Sequence, residues 1–217
     1  MSKTDGQISM PVIRRLPKYY RCLCTMEQNG IEKISSRALA EAMNITASQV
    51  RQDLNCFGGF GQQGYGYITK TLREEIAKLL GIDELKNTVI YGIGNLGRAV
   101  LFHFDFEKFG FKLCGLFDTA PHLVGTELAG FTIKDNCDIE DCVKENSVTT
   151  AILCIPTVSA EDVVKKLYDA GIRNYLNFSH FDITAHYPDC VSNDVHLSES
   201  LMTLGYLITN KEPDTQD

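Results

Sequence analysis

Apolar positions in the first eighty residues recur at helical spacing. Leu39 and Met43 lie four apart, as do Val50 and Leu54, so two short amphipathic helices follow one another. Ser35-Ser36 offers an N-cap for a helix over 37–43, and Asn44 suits a tight turn. Thr46 and Gln49 have capping-box spacing, in which each side chain satisfies the other's orphan amide. Upstream, a helix is expected from Pro17 to a stop at Asn29-Gly30. A short helix, a tight turn and a capped second helix outline a helix-turn-helix. Five glycines then fall within residues 58–66, with aromatics interleaved. They predict a β-ribbon with a tight tip, which would complete a winged helix. A helix over 71–80 ends near Gly81, where a domain junction is expected.

Beyond that junction the period changes. Residues 88–91, 111–117, 131–133, 150–155 and 174–177 read as strands, and 98–109, 138–145 and 160–169 as helices. The alternation predicts an α/β architecture with parallel strands and helical crossovers, a Rossmann-type doubly wound sheet. Leu197, Leu201, Leu204 and Ile208 then mark one face of a terminal helix. That face either covers its own sheet or docks on a second subunit. The expected domains are 1–81, 82–196 and a terminal helix over 197–210.

Composition changes this picture only in places. The 217 residues are 44% hydrophobic and 23% charged, as in a folded globular protein. No apolar run approaches the ~18 residues of a membrane span. The segment MSKTDGQISMPVIRR has no apolar h-region. The expectation is a cytoplasmic chain with no membrane role. The eight cysteines form no CxxC pair, which fits reduced thiols and argues against a metal site. The net charge of −7 is uneven. Residues 1–80 hold 11 Lys and Arg against 7 Asp and Glu, whereas 81–217 hold 10 against 21. The N-terminal part can therefore still dock on phosphate.

The sharpest chemical signal is Gly92-Ile93-Gly94-Asn95-Leu96-Gly97, a GxGxxG between a strand and a helix. The first glycine makes the turn, the second lets amides approach a pyrophosphate, and the third lets helix and strand pack. The next strand ends at Phe117-Asp118-Thr119, with Asp118 21 residues beyond Gly97. A carboxylate there accepts ribose hydroxyls and repels a 2′-phosphate, so NADH and NAD+ are expected rather than the phosphorylated forms. Cys154-Ile155-Pro156 and Asn177-Phe178 lie at later strand ends, where the nicotinamide half is expected. No catalytic group stands out, since His180 and His186 read as solvated loop residues.

In the N-terminal part, the second helix would present Ala47, Ser48, Arg51, Gln52 and Asn55 to double-stranded DNA, where Arg reads guanine and Gln or Asn reads adenine. Gln62 and Gln63 at the ribbon tip suit a minor groove. Arg14, Arg15 and Lys18 are placed for phosphates, and Ser36, Thr46 and Gln49 complete the expected surface.

At this point the chain resembles the Rex family of redox-sensing transcriptional repressors. The matching stretches are RRLPKYYR (14–21), ISSRALAEAMNITASQVRQDL (34–54), FGGFGQQGYGY (57–67), GIGNLGRA (92–99), LFDTAP (116–121) and NFSHFDI (177–183). The resemblance implies a homodimer on operator DNA that NADH releases, with the terminal helix swapped onto the partner. It also implies that the positions of His103 and His196, where many members carry Tyr and Asp, couple the cofactor to domain closure. Gln52, Gln62 and Gln63 depart from a Lys or Lys-Arg pattern, which lowers the expected electrostatic attraction to DNA. The competing readings are a small NAD-dependent oxidoreductase and a coenzyme A-binding module, each with a fused helical domain.

Overall fold

A computed structural model describes residues 8–58 and 66–210. Two compact units divide the chain, Met1–Glu84 and Leu85–Asp217.

The first unit contains α1 (Met10–Gln28), β1 (Lys33–Ile34), α2 (Ser36–Met43), α3 (Ala47–Asn55), β2 (Tyr67–Ile68) and α4 (Thr69–Leu80). The expected start of the first helix at Pro17 is corrected: α1 begins seven residues earlier, with Pro11 in its first turn and Pro17 inside it. Pro11 fits there because the first amides of a helix have no internal partner. Ser35 accepts the Ala38 amide at 3.1 Å, and Asn44 closes α2 in the left-handed conformation at φ 53°. Asn tolerates that region better than other residues with a side chain. Leu16, Tyr19, Leu23, Leu39, Met43, Val50, Leu54, Leu72 and Ile76 fill the core between these helices. β1 pairs antiparallel with β2, Ile34 opposite Tyr67. Thus the strand that meets the end of the glycine-rich segment precedes the helix-turn-helix. A Cβ on Gly66, which has φ +72°, would lie 2.6 Å from the Ile34 carbonyl oxygen, so this close approach requires glycine.

The second unit contains β3 (Lys86–Tyr91), α5 (Asn95–His103), β4 (Phe111–Phe117), β5 (Glu127–Leu128), β6 (Phe131–Lys134), α6 (Ile139–Asn146), β7 (Thr150–Leu153), α7 (Thr157–Asp169), β8 (Asn174–Asn177), α8 (Ile183–His186), β9 (Val191–Asp194) and α9 (Leu197–Thr209). The sheet order is β5-β6-β4-β3-β7-β8-β9, and every pairing except β5–β6 is parallel. The expected 98–109 helix is instead α5, an extended residue at Phe104, and a short 3-10 turn that Gly110 closes at φ 78°. Side chains alternate across β3. Val89 and Tyr91 enter a core with α6 and α7, while Ile90 joins Val100 and Leu101 of α5. Both faces of the sheet are therefore covered, and its strand ends are free to bind.

One helix joins neither core. Every residue of α9 is exposed in the single chain, with Leu201 at 69% and Leu204 at 50%.

Candidate functional site

The β3–α5 turn divides its three glycines by task. Gly92 has φ +93°, and a Cβ there would meet the Cys154 carbonyl oxygen at 2.5 Å. A Cβ on Gly97 would lie 1.9 Å from the Gly92 carbonyl oxygen. A Cβ on Gly94 would meet nothing within 4 Å, so this position borders open space at the start of α5. The helix N-terminus there favours an anion.

Asp118 directly follows β4, beside this turn. Its Oδ2 accepts the Ile93 amide at 2.6 Å and its Oδ1 accepts the Ala120 amide at 2.8 Å. Each oxygen keeps a second lone pair for a hydroxyl. The carboxylate thus positions the glycine turn and faces the ligand side at once.

A cavity of about 720 Å3 opens at these strand ends. Of the expected cofactor residues it brings together Gly92, Gly94, Asp118, Thr119, Cys154, Ile155 and Pro156. It adds Tyr91, Asn136 and a strip of α7 that includes Asp162, Val163 and Lys166. Burial pushes the Cys154 thiol up to about 12, so it lines the cavity as a neutral group. The α7 strip escaped the sequence reading because its signal was an amphipathic helix, and the outer edge of such a helix carries no motif.

Several expected residues lie elsewhere. Ile93 and Phe117 are buried in the cores, Asn95 and Leu96 are exposed on α5, and Gly97 packs against the turn. Asn177 is buried and fully engaged. Its Nδ2 donates to the Phe181 carbonyl and to Asp194, and its Oδ1 accepts from the Ser179 amide and hydroxyl. It shapes the loop that follows β8, and Phe178 packs on the α5-side core. His103 and His196 have separate partners within the chain. The His103 Nδ1 meets the Ala99 carbonyl oxygen at 2.9 Å, one turn back along α5. The His196 Nδ1 is hydrogen-bonded to the Nδ1 of His180.

The first unit carries a polar helix face. Ser48, Arg51, Gln52 and Asn55 are exposed along α3, and the half-buried Ala47 is in its first turn. Arg51 Nη1 donates to Ser36 Oγ at 3.2 Å across the two helices. Arg14 is exposed on α1. Gln62 and Gln63 lie outside the described residues.

Arg15, Lys18 and Gln49 each have a partner within the unit, and the expected capping box is corrected. Arg15 is held by the buried Asp53, its Nε at 2.6 Å and its Nη2 at 2.7 Å from the two carboxylate oxygens. That bidentate pair engages the Nε and Nη2 side of the guanidinium. Lys18 Nζ donates to the Met43 carbonyl at 2.6 Å, at the C-terminus of α2. The capping box is half made. Thr46 accepts the Gln49 amide, but Gln49 Nε2 turns to Asp53 at 2.8 Å. The buried carboxylate holds the Gln49 side chain through its Nε2 donor, whereas a capping box would need the Gln49 Oε1 to accept the Thr46 amide. Burial alone would raise the Asp53 pKa; hydrogen bonds from Arg15, Gln49 and Tyr19 outweigh it and hold the carboxyl below its ordinary value.

Residues 7–55 match the family described as "Putative DNA-binding protein N-terminus", and residues 83–181 match the one described as "CoA binding domain". The redox-sensing transcriptional repressor Rex of Clostridium perfringens (strain SM101) is 46% identical over 212 residues, 98% of this chain and 99% of its own. Rex of Clostridioides difficile (strain 630) is 46% identical over 94% of this chain and 97% of its own. Among solved structures, RSP in complex with NAD+ and operator DNA superimposes at a TM-score of 0.87 with 44% identity, over 95% of each chain. RSP in complex with NADH gives 0.85 and 41%, over 95% of this chain and 97% of its own.

Proposed function

The chain belongs to the Rex family of redox-sensing transcriptional repressors, and from that membership we propose that it is a cytoplasmic, homodimeric repressor that NADH removes from operator DNA. The observation that carries the reading is the presence in one chain of two separate surfaces. One is the polar α3 face on a helix-turn-helix, and the other is a glycine-bordered cavity ending in Asp118. The relative RSP is seen with NAD+ and operator DNA, and with NADH.

The residues present fit a dinucleotide. Gly94 leaves room for a pyrophosphate at the α5 N-terminus, and Asp118 has lone pairs for ribose hydroxyls. Thr119 beside it adds no positive charge, so a 2′-phosphate is disfavoured. We place the nicotinamide half along Ile155 and Pro156. An apolar wall there disfavours the cationic oxidised ring and favours the neutral reduced one. The cofactor's part is to be bound in one of two charge states; no reaction is assigned to it.

The switch is linkage. NADH binds a form with low operator affinity better than one with high affinity, and reciprocally operator opposes NADH. A swing from 1:99 to 99:1 requires about 5.5 kcal/mol of differential binding. We further propose that α9 is the dimerisation helix, swapped onto a partner. The bare stripe of Leu197, Leu201, Leu204 and Ile208 supports this, as do the exposed Phe102 and Phe104 in and after α5.

The match to a coenzyme A-binding family favours a second reading of the cavity. Coenzyme A carries a 3′-phosphate, which would sit against the Asp118 carboxylate. The deciding experiment is a gel shift on operator DNA of a Rex relative, with NADH titrated at fixed NAD+ and coenzyme A as a separate arm. Release by NADH alone is expected. Release by coenzyme A and not by NADH would overturn the reading.

A further inference from the structure

Two residues that line this cavity each carry a buried polar atom with no hydrogen-bond partner among the described residues: the Tyr91 hydroxyl and the Asn136 Oδ1. Tyr91 is 2% exposed, and its ring is held by offset stacking on Phe117 at 6.3 Å between centroids. A buried hydroxyl or amide oxygen without a partner is costly, and such orphans in a folded protein call for an explanation. Rotating away is not open to Tyr91, because its ring is enclosed in the core against α6 and α7. The two orphans also share a neighbourhood. Burial, then the charges of Asp118 and Asp135, push the Tyr91 hydroxyl up to about 12. It therefore stays protonated and can donate. Asn136 follows Asp135 directly, at the short turn after β6.

Gly92, Gly94, Asp118 and Thr119 line the same cavity as Tyr91, Asn136 and α7. If Asp118 takes the ribose, the base attached to that ribose lies in the same cavity as Tyr91 and Asn136. Adenine presents its N6 amino donor beside a ring-nitrogen acceptor on both its Watson–Crick and Hoogsteen edges. A protein donor and a protein acceptor complement that pair. A 6-oxopurine replaces the amino donor with an acceptor oxygen, which would face the Asn136 Oδ1.

We propose that Tyr91 and Asn136 read the purine edge of the bound dinucleotide and select adenine over a 6-oxopurine. This rests on the dinucleotide reading above and deepens it. Tyr91 donates to a ring nitrogen, and Asn136 accepts from the exocyclic amine. The pair sets base specificity, whereas Asp118 sets recognition of the sugar.

The test is calorimetric titration of the full chain with NADH and with reduced nicotinamide hypoxanthine dinucleotide, which differ only at this edge. Wild type is expected to prefer NADH by about tenfold or more, the value of one well-made buried hydrogen bond. Tyr91→Phe and Asn136→Leu should each shrink that ratio several-fold, chiefly by weakening NADH. Asn136→Asp keeps the acceptor and should keep the preference. Equal affinity of wild type for both dinucleotides would overturn the proposal, as would an unchanged ratio in both Tyr91→Phe and Asn136→Leu. Binding of neither dinucleotide by wild type would overturn the dinucleotide reading itself, and this inference with it.

Discussion

Asp118 and Asp53 show how differently two carboxylates are used in one chain. Asp118 holds the Ile93 amide and keeps lone pairs for a ligand, so Asp118→Ala should weaken NADH by ~1–3 kcal/mol. It should also narrow the preference against NADPH. Calorimetry with both cofactors checks this, and unchanged affinities would remove Asp118 from the ribose site. Asp53 is 1% exposed and takes donors from Arg15, Tyr19 and Gln49. Removing its charge with Asp53→Ala should cost the first unit about 3–5 kcal/mol, because Arg15 and Tyr19 lose their partner. The sign with pH follows from the lowered pKa. The ionised form contributes stability above the ordinary carboxylate value of ~3.9, and that contribution is lost as pH falls through the folded value. Unfolding followed at neutral pH and near pH 3 should show a steeper acid loss in wild type than in Asp53→Asn. Asp118 was legible in the sequence because a strand end and a glycine motif fix its place. Asp53 was not, since a charged residue on an amphipathic helix reads as solvent-facing until the partners on α1 are known.

At the level of elements, periodicity carried most of the fold. β4 and β8 fall on the expected residues, and α6, α7 and α9 lie within a few residues of expectation. The misses have physical causes. β5 and β9 are strands of two and four residues with one apolar side chain each, Leu128 and Val191, so neither shows an apolar pattern. The start of α1 was misplaced because two prolines compete to open it, and Pro17 is accommodated inside. The exposed side of α3 leads to a contrast in binding. Arg51→Ala should cost ~1–3 kcal/mol on cognate operator and relax preference at one base pair. Arg14→Ala should weaken cognate and scrambled DNA alike and reduce the salt slope by about one. Gel shifts on both DNAs at several salt concentrations decide it, and identical behaviour of the two variants would refute the division.

For the whole molecule, α9 is the decisive element, since it is bare from end to end in a single chain. Burying four such apolar side chains contributes roughly 1.5–3 kcal/mol each before ordering costs. Truncation after His196 should therefore yield monomers by light scattering and abolish operator binding, because two half-sites must be held at a fixed spacing. A truncated chain that still scatters as a dimer would send α9 back to its own sheet. The three glycines of the β3–α5 turn carry a different consequence, visible in a genetic screen. Substitutions at Gly92 and Gly97 collide with backbone and should surface as null alleles, with repressor lost to degradation. Gly94 has an ordinary negative φ of −74° and open space before it, so Gly94→Ala should fold and still silence its promoters. Its new methyl would stand where a pyrophosphate must approach. Such an allele would be a super-repressor, dominant over wild type and deaf to the redox state of the cell.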